Sequence, residues 1–170
     1  MLRLILLRHA QAAAHAGGGD SERALTLAGR SEARTIGDWL ATEQVKPDLA
    51  VISTARRARE TWALVQEIAG FASPVIEEPR LYLAETPTLL DLMHMTPASV
   101  RTLLCVGHNP GFHDYALEMT GMRDTQARLH LETGLPTAGL IILEFDAAHW
   151  RDVQHGSGRL LHFITPDDLR

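Results

Sequence analysis

Two histidines stand where apolar runs end. Leu4-Ile5-Leu6-Leu7 stops at Arg8-His9, and Thr102-Leu103-Leu104-Cys105-Val106 stops at Gly107-His108-Asn109-Pro110-Gly111. Between them in the chain, Arg56, Arg57 and Arg59 follow a third short apolar run. Guanidiniums, imidazoles and helix starts gathered at strand ends make a site for a dianionic oxyanion, phosphate foremost. Arginine suits it because its fork takes phosphate oxygens bidentately. One imidazole can attack phosphorus as a neutral nucleophile while the surrounding donors stabilise the group in transit. Nearby cations lower that imidazole's pKa and keep it neutral near pH 7. Phosphoryl transfer asks mainly for positioning and charge stabilisation, which this set supplies.

The elements that must position these residues alternate along the chain. The two runs ending in histidine read as strands buried on both faces, which lose the polar alternation of half-exposed strands. Ligands in such sheets sit beyond the carboxyl ends of the strands. After His9, residues 11–22 form a polar loop around Gly17-Gly18-Gly19-Asp20. No Lys-Ser/Thr follows the glycines, so this is a flexible link rather than a P-loop. Thr26 caps an amphipathic helix over 26–42, with Leu27, Ile36, Trp39 and Leu40 at helical spacing. A strand at 49–52 leads to a helix over 55–69, capped by Ser53 or Thr54. Cations in that helix's first turn oppose its dipole, so one of the three arginines is expected to hold an anion while two face solvent.

Further on, a strand at 74–77 precedes a short helix capped by Thr86 and opened by Pro87. Asn109 and Pro110 are the expected N-cap and first-turn residues of the next helix, which Gly121 closes. His108 then stands at a helix N-terminus, where anions bind. Residues 122–133 show no clear period. Strands at 139–146 and 158–164, joined by a short link carrying Trp150, are expected to pair antiparallel at one edge. The whole reads as one domain, residues 1–170, of three-layer α/β/α architecture with a mainly parallel sheet and an antiparallel edge.

Composition narrows the function. The 170 residues carry a net charge of −5, which argues against a nucleic-acid binder. A single cysteine, Cys105, sits inside an apolar run and excludes an internal disulfide. No apolar run is long enough to span a membrane. The first run is also too short, and lacks the cleavage pattern, for a secretory signal. A cytoplasmic protein with no membrane partner is the expectation.

Taken together, Leu6-Leu7-Arg8-His9-Ala10, Arg23-x-Leu25-Thr26-x-x-Gly29, Ser53-x-x-x-Arg57-Ala58-x-x-Thr61 and Gly107-His108-Asn109-Pro110 resemble the histidine phosphatase superfamily, with its phosphoglycerate mutase-like fold. The short loops, the Pro136-Thr137-Ala138-Gly139 run before a late strand and the Thr165-Pro166 ending resemble its short bacterial phosphohistidine phosphatases of SixA type. The resemblance spans essentially the whole chain. It departs in Ala10, where glycine is common, and in Glu60, where glutamine is frequent.

The resemblance implies that His9 is a nucleophile forming a phosphohistidine intermediate that water hydrolyses. Arg8, Arg57 and His108 would bind the phosphoryl group, with Arg23 a further contact. Among Glu77, Glu78, Glu85 and Asp91, Glu85 is the expected general acid, against the alternative of a solvated helix-start carboxylate or no acid at all. No metal and no cofactor are implied. The substrate is expected to be phosphohistidine or another phosphoprotein, such as a histidine phosphotransfer domain, with small phosphate monoesters as the alternative. A noncatalytic phosphoprotein-binding module, a mutase, and a metallohydrolase built on His108 and His113 are the competing readings.

Overall fold

The computed structural model describes residues 1–170. Its six strands are β1 (Leu2–Arg8), β2 (Leu49–Ile52), β3 (Val75–Glu77), β4 (Thr102–Gly107), β5 (Leu140–Phe145) and β6 (Gly158–Ile164). They form a single sheet in the order β3-β2-β4-β1-β5-β6. The pairs β3–β2, β2–β4 and β4–β1 are parallel; β5 runs antiparallel to β1, and β6 to β5. The helices are α1 (Leu27–Thr42), α2 (Arg56–Ala69), α3 (Thr86–His94), α4 (Gly111–Met119) and α5 (Thr125–Leu131). This is the expected mainly parallel sheet with an antiparallel edge.

Side chains alternate across the sheet, and both faces are covered. Ile5, Leu7, Leu104 and Val106 pack against Ile36 and Leu40 of α1 and Trp62 and Val65 of α2. Leu4, Leu6, Leu103 and Cys105 pack the other way, against Met93 of α3 and Phe112, Tyr115 and Met119 of α4. That double burial is why β1 and β4 read as unbroken apolar runs. Each fully buried leucine of β1 contributes about 1.5–3 kcal/mol relative to exposure.

Strand register sets the site. Arg8 pairs with Gly107 and Ile52 pairs with Val106, so three adjacent parallel strands end flush. The ladder extends one bond beyond each end: His9 N–H donates to Gly107 O and Ser53 N–H to Val106 O, both at 3.0 Å. His9, His108 and Ser53 therefore leave the sheet side by side.

The structure differs from expectation mostly at helix starts: Leu27, counted in the apolar spacing of α1, is its first residue and is 88% exposed, while Ala33, Ile36 and Leu40 are buried. The N-cap of α2 is Ala55, without a side-chain cap, because the Ser53 hydroxyl is engaged with His108. Helix α3 begins one residue early, with Glu85 at its N-cap; Thr86 Oγ1 instead donates to Glu118. Helix α4 begins at Gly111 with Pro110 at its N-cap, and the Asn109 amide is diverted to Leu135 O, 2.8 Å away. That helix ends at Met119, before Gly121, whose N–H joins Gly158 O. The segment without a period contains α5, capped by Asp124 and anchored by buried Ala127 and Leu131. Trp150 lies in the β5–β6 connection but is buried, its indole N–H donating to Val100 O.

Candidate active site

A cleft of about 330 Å³ opens beyond the flush strand ends, and Arg8, His9, Asp20, Arg23, Arg57 and His108 all line it. His9 is 8% exposed. Its Nδ1 lies 2.8 Å from Ala10 O, and a carbonyl only accepts, so Nδ1 carries the proton and Nε2 presents a lone pair to the cleft. Burial, reinforced by Arg57, Arg8 and Arg23, lowers the His9 pKa to about 4. Ala10 and Thr61 fix the backbone there: Ala10 N–H donates to Thr61 Oγ1, whose own proton goes to Arg57 O.

Arg57 is the hub. It is 2% exposed, whereas Arg56 and Arg59 face solvent, the one-in, two-out division expected of the three arginines. Its Nε donates to His9 Nε2 at 3.3 Å, and one Nη lies 3.4 Å from His108 Nδ1. The same guanidinium donates to Asp20 twice, to the backbone oxygen at 2.8 Å and to Oδ2 at 3.0 Å. The anion that offsets this helix-start cation is thus a side chain of the glycine-rich loop.

His108 tilts toward His9, with ring centroids 5.2 Å apart, and its Nε2 sits 2.7 Å from Ser53 Oγ. Burial, with His9 and Arg57 beside it, lowers the His108 pKa to about 3, so both imidazoles are neutral near pH 7. Arg8 donates to Leu135 O at 2.9 Å, and its buried Nε has no partner. Desolvation lowers its pKa, opposed by the charge of Glu32.

Asp20 lines the cleft and Tyr82 packs against Asp20 and His108, and neither was singled out by sequence reasoning as part of the site. The Asp20 carboxylate accepts from Arg57, from Arg23 Nε at 3.0 Å and from the Tyr82 hydroxyl. These donors, Tyr82 foremost, hold Asp20 far below the usual carboxylate range, while the bond to Asp20 raises the Tyr82 pKa. The Tyr82 ring stands edge-on to His108, centroids 5.4 Å apart. The i, i+3 spacing of Asp20 and Arg23 was the one signal that could have pointed to Asp20; its contact with Arg57, 37 residues away, left none.

The motif around Thr26 and Gly29 clamps the loop that leaves His9. Thr26 N–H donates to Gln11 O, and Thr26 Oγ1 accepts from Gly29 N–H. A Cβ at Gly29 would lie 2.0 Å from Gln11 O, so only glycine admits the loop this close. Glu85 is elsewhere: exposed at the start of α3, without a side-chain hydrogen bond and outside the residues lining the cleft. The pairing of His108 with His113 expected of a metal site does not form, since His113 Nε2 contacts Leu131 O at 2.7 Å. No three His, Cys, Asp or Glu side chains gather as a metal site would require. Cys105 is no nucleophile, its pKa pushed up to about 12 by burial.

A buried histidine at a strand end, a second imidazole and three arginines thus gather at one end of a three-layer sheet fold. Residues 4–85 match the histidine phosphatase superfamily (branch 1). An uncharacterised protein of Mycobacterium tuberculosis is 33% identical over 162 residues, covering 94% of this chain and 99% of its own. Among solved structures, the Agrobacterium tumefaciens protein assigned as the phosphohistidine phosphatase SixA is 32% identical, with a TM-score of 0.82 over 97% of this chain and 98% of its own. A protein histidine phosphatase SixA complexed with tungstate shares the fold, at 22% identity and a TM-score of 0.81 over 99% and 100% of the two chains. The chain belongs to the histidine phosphatase superfamily and is a SixA-like phosphatase. No helix is long and apolar enough to cross a membrane.

Proposed function

We propose that the chain hydrolyses phosphohistidine on a protein, or another phosphorylated protein side chain, through a phosphohistidine formed on His9 and without a metal ion. The observation that carries the reading is the His9 ring itself. Its Nδ1 proton is committed to Ala10 O and its Nε2 lone pair meets only the long bond from Arg57, so it is a neutral, aimed nucleophile. Arg8, Arg57 and His108 bind the phosphoryl oxygens, with Arg23 at the rim. Arg57 can only donate to His108 Nδ1, so in the free site Nε2 carries the ring proton and the Ser53 hydroxyl accepts from it and from Ala55 N–H. A phosphoryl oxygen that draws Arg57 away reverses the ring, with Ser53 donating to Nε2 and Nδ1–H turning to that oxygen.

In the first step Nε2 bonds to phosphorus as the bond to the leaving atom breaks. A phosphohistidine protonated on its distal ring nitrogen leaves as neutral imidazole and takes the breaking electron pair, so no proton donor is needed. Phosphorylated His9 has the same form, because Nδ1 keeps its proton on Ala10 O. Water then attacks phosphorus, the Nε2–P bond breaks, and both water protons leave with the phosphate. An alkyl ester would instead need a proton for its departing oxygen, and the cleft offers only Asp20, held as a carboxylate. That absence of an acid favours nitrogen-linked substrates over monoesters.

The test is phosphate release, in excess chelator, from a histidine-phosphorylated phosphotransfer domain and from p-nitrophenyl phosphate, with His9→Ala in parallel. Release from the protein that disappears in the variant is the expected result. Turnover of monoesters alone would move the substrate to small phosphorylated metabolites. Phosphate binding without turnover on either substrate would make the chain a phosphoprotein-binding module.

A further inference from the structure

Asp20 is the one carboxylate lining the cleft, and the phosphoryl chemistry does not require it. We propose that its carboxylate accepts a hydrogen bond from the distal ring N–H of a phosphorylated imidazole and so selects nitrogen-linked, protonated leaving groups over esters. The inference rests on the proposed substrate and names the residue that enforces it.

Three observations carry it. A carboxylate offers about four lone-pair sites; Arg23, Arg57 and Tyr82 fill three, leaving one on the oxygen bonded to Arg23. The Asp20 side chain is 47% exposed and lines the cleft, so it is open to a donor entering there. It also lies one guanidinium away from the nucleophile, since Arg57 bonds His9 Nε2 through Nε and Asp20 Oδ2 through a terminal nitrogen.

A phosphoryl group held by Arg8, Arg57 and His108, with His9 Nε2 attacking from the strand ends, projects its leaving group toward the rim where Asp20 and Tyr82 stand. A carboxylate there attracts a phosphoimidazole that carries a ring proton. The same carboxylate repels the negative charge that grows on an ester oxygen as its bond to phosphorus breaks. Three donors keep it ionised, so it does not supply the proton an ester needs. The carboxylate thus sorts substrates by the charge of what departs. No proton leaves Asp20 and no bond to it forms.

The experiment compares kcat/KM for 1-phosphoimidazole and for p-nitrophenyl phosphate in the wild type and in Asp20→Asn, with urea midpoints to confirm folding. The expected result is at least a tenfold fall in the ratio of kcat/KM on 1-phosphoimidazole to that on the ester, whatever the change in the ester rate itself. Equal loss or equal gain on both substrates overturns the inference, making Asp20 a scaffold or a plug on Arg57. A wild type that hydrolyses the ester but not 1-phosphoimidazole overturns the proposed function along with it; wild-type turnover of both with an unchanged ratio in the variant overturns the Asp20 role alone. A second measurement needs no variant. Methylating the distal nitrogen of 1-phosphoimidazole removes the N–H but keeps the positive charge. The wild-type rate, taken relative to uncatalysed hydrolysis, should then fall at least tenfold, and an undiminished ratio overturns the hydrogen bond.

Discussion

Folding stability should drop steeply between pH 7 and pH 5, because the fold holds two imidazoles neutral. Burial and cationic neighbours bring His9 to about 4 and His108 to about 3, whereas in the unfolded chain both titrate near 6.5. Below that value the unfolded chain binds protons that the folded one refuses, so acid favours unfolding. Above pH 6.5 the two histidines add no penalty; below it the penalty grows, levelling off near pH 4 for His9 and pH 3 for His108. At pH 5 an unfolded imidazole is almost fully protonated and each buried one almost fully neutral. Integrating from pH 7 to pH 5 gives roughly 2 kcal/mol per histidine, about 4 kcal/mol for the pair.

That figure is set by the unfolded value and hardly by the folded ones, since neither ring is charged in the folded state at pH 5. Repulsion between the two rings therefore does not enter it. Asp20 works in the opposite direction and lower down: its depressed pKa stabilises the fold fully above the unfolded carboxylate value and is lost only as pH falls below about 4. A domain has about 5–15 kcal/mol in all, so the loss is a large fraction of it. Urea unfolding at both pH values, in phosphate-free buffers, measures it. His9→Asn and His108→Asn should each remove roughly 2 kcal/mol of the pH difference, and the double variant about 4. Single and double variants that keep the full wild-type difference would refute the reasoning.

Other outcomes follow from the same geometry. Ser53→Ala removes the hydroxyl 2.7 Å from His108 Nε2; kcat should fall about tenfold with KM little changed, as expected for losing roughly 1.5 kcal/mol of positioning, and steady-state kinetics on p-nitrophenyl phosphate decides it. Glu85→Gln should leave kcat within about twofold, given its exposed place outside the cleft and the small effects of such surface changes; a tenfold loss would restore it as an acid. Gly29→Ala forces a methyl group against Gln11 O, and urea denaturation should show a loss of about 1–3 kcal/mol together with weaker phosphate binding.

What the sequence made legible and what it hid have separate physical causes. The runs of β1 and β4 were legible because burial on both faces strips polar residues from a strand, and flush register then carries their terminal histidines together. Arg57 was legible in part: three cations at a helix start demand an anion, though not which cation or which anion. Helix α5 was hidden because seven residues give too little period, its position resting on Asp124 and two buried side chains. Ser53 read as a cap because serine before a helix usually is one, and only the register of β2 against β4 turns its hydroxyl to His108.

The carboxylates show the limit most sharply. Glu85 was chosen from its position along the chain, at a loop–helix junction after β3, where the resemblance puts an acid. Asp20 lay in a glycine-rich loop whose composition says only that it can bend. Yet Gln11 is clamped under Gly29 and Arg23 reaches back to Ala13 O, so the loop cannot simply swing free; its return path is fixed at both ends and delivers Asp20 onto Arg57. A carboxylate placed there by backbone clamps and kept ionised by three donors is a poor acid and a good acceptor. On the reading proposed above, the choice between ester and phosphoramidate then turns on a loop residue marked locally by nothing more than its i, i+3 spacing from Arg23.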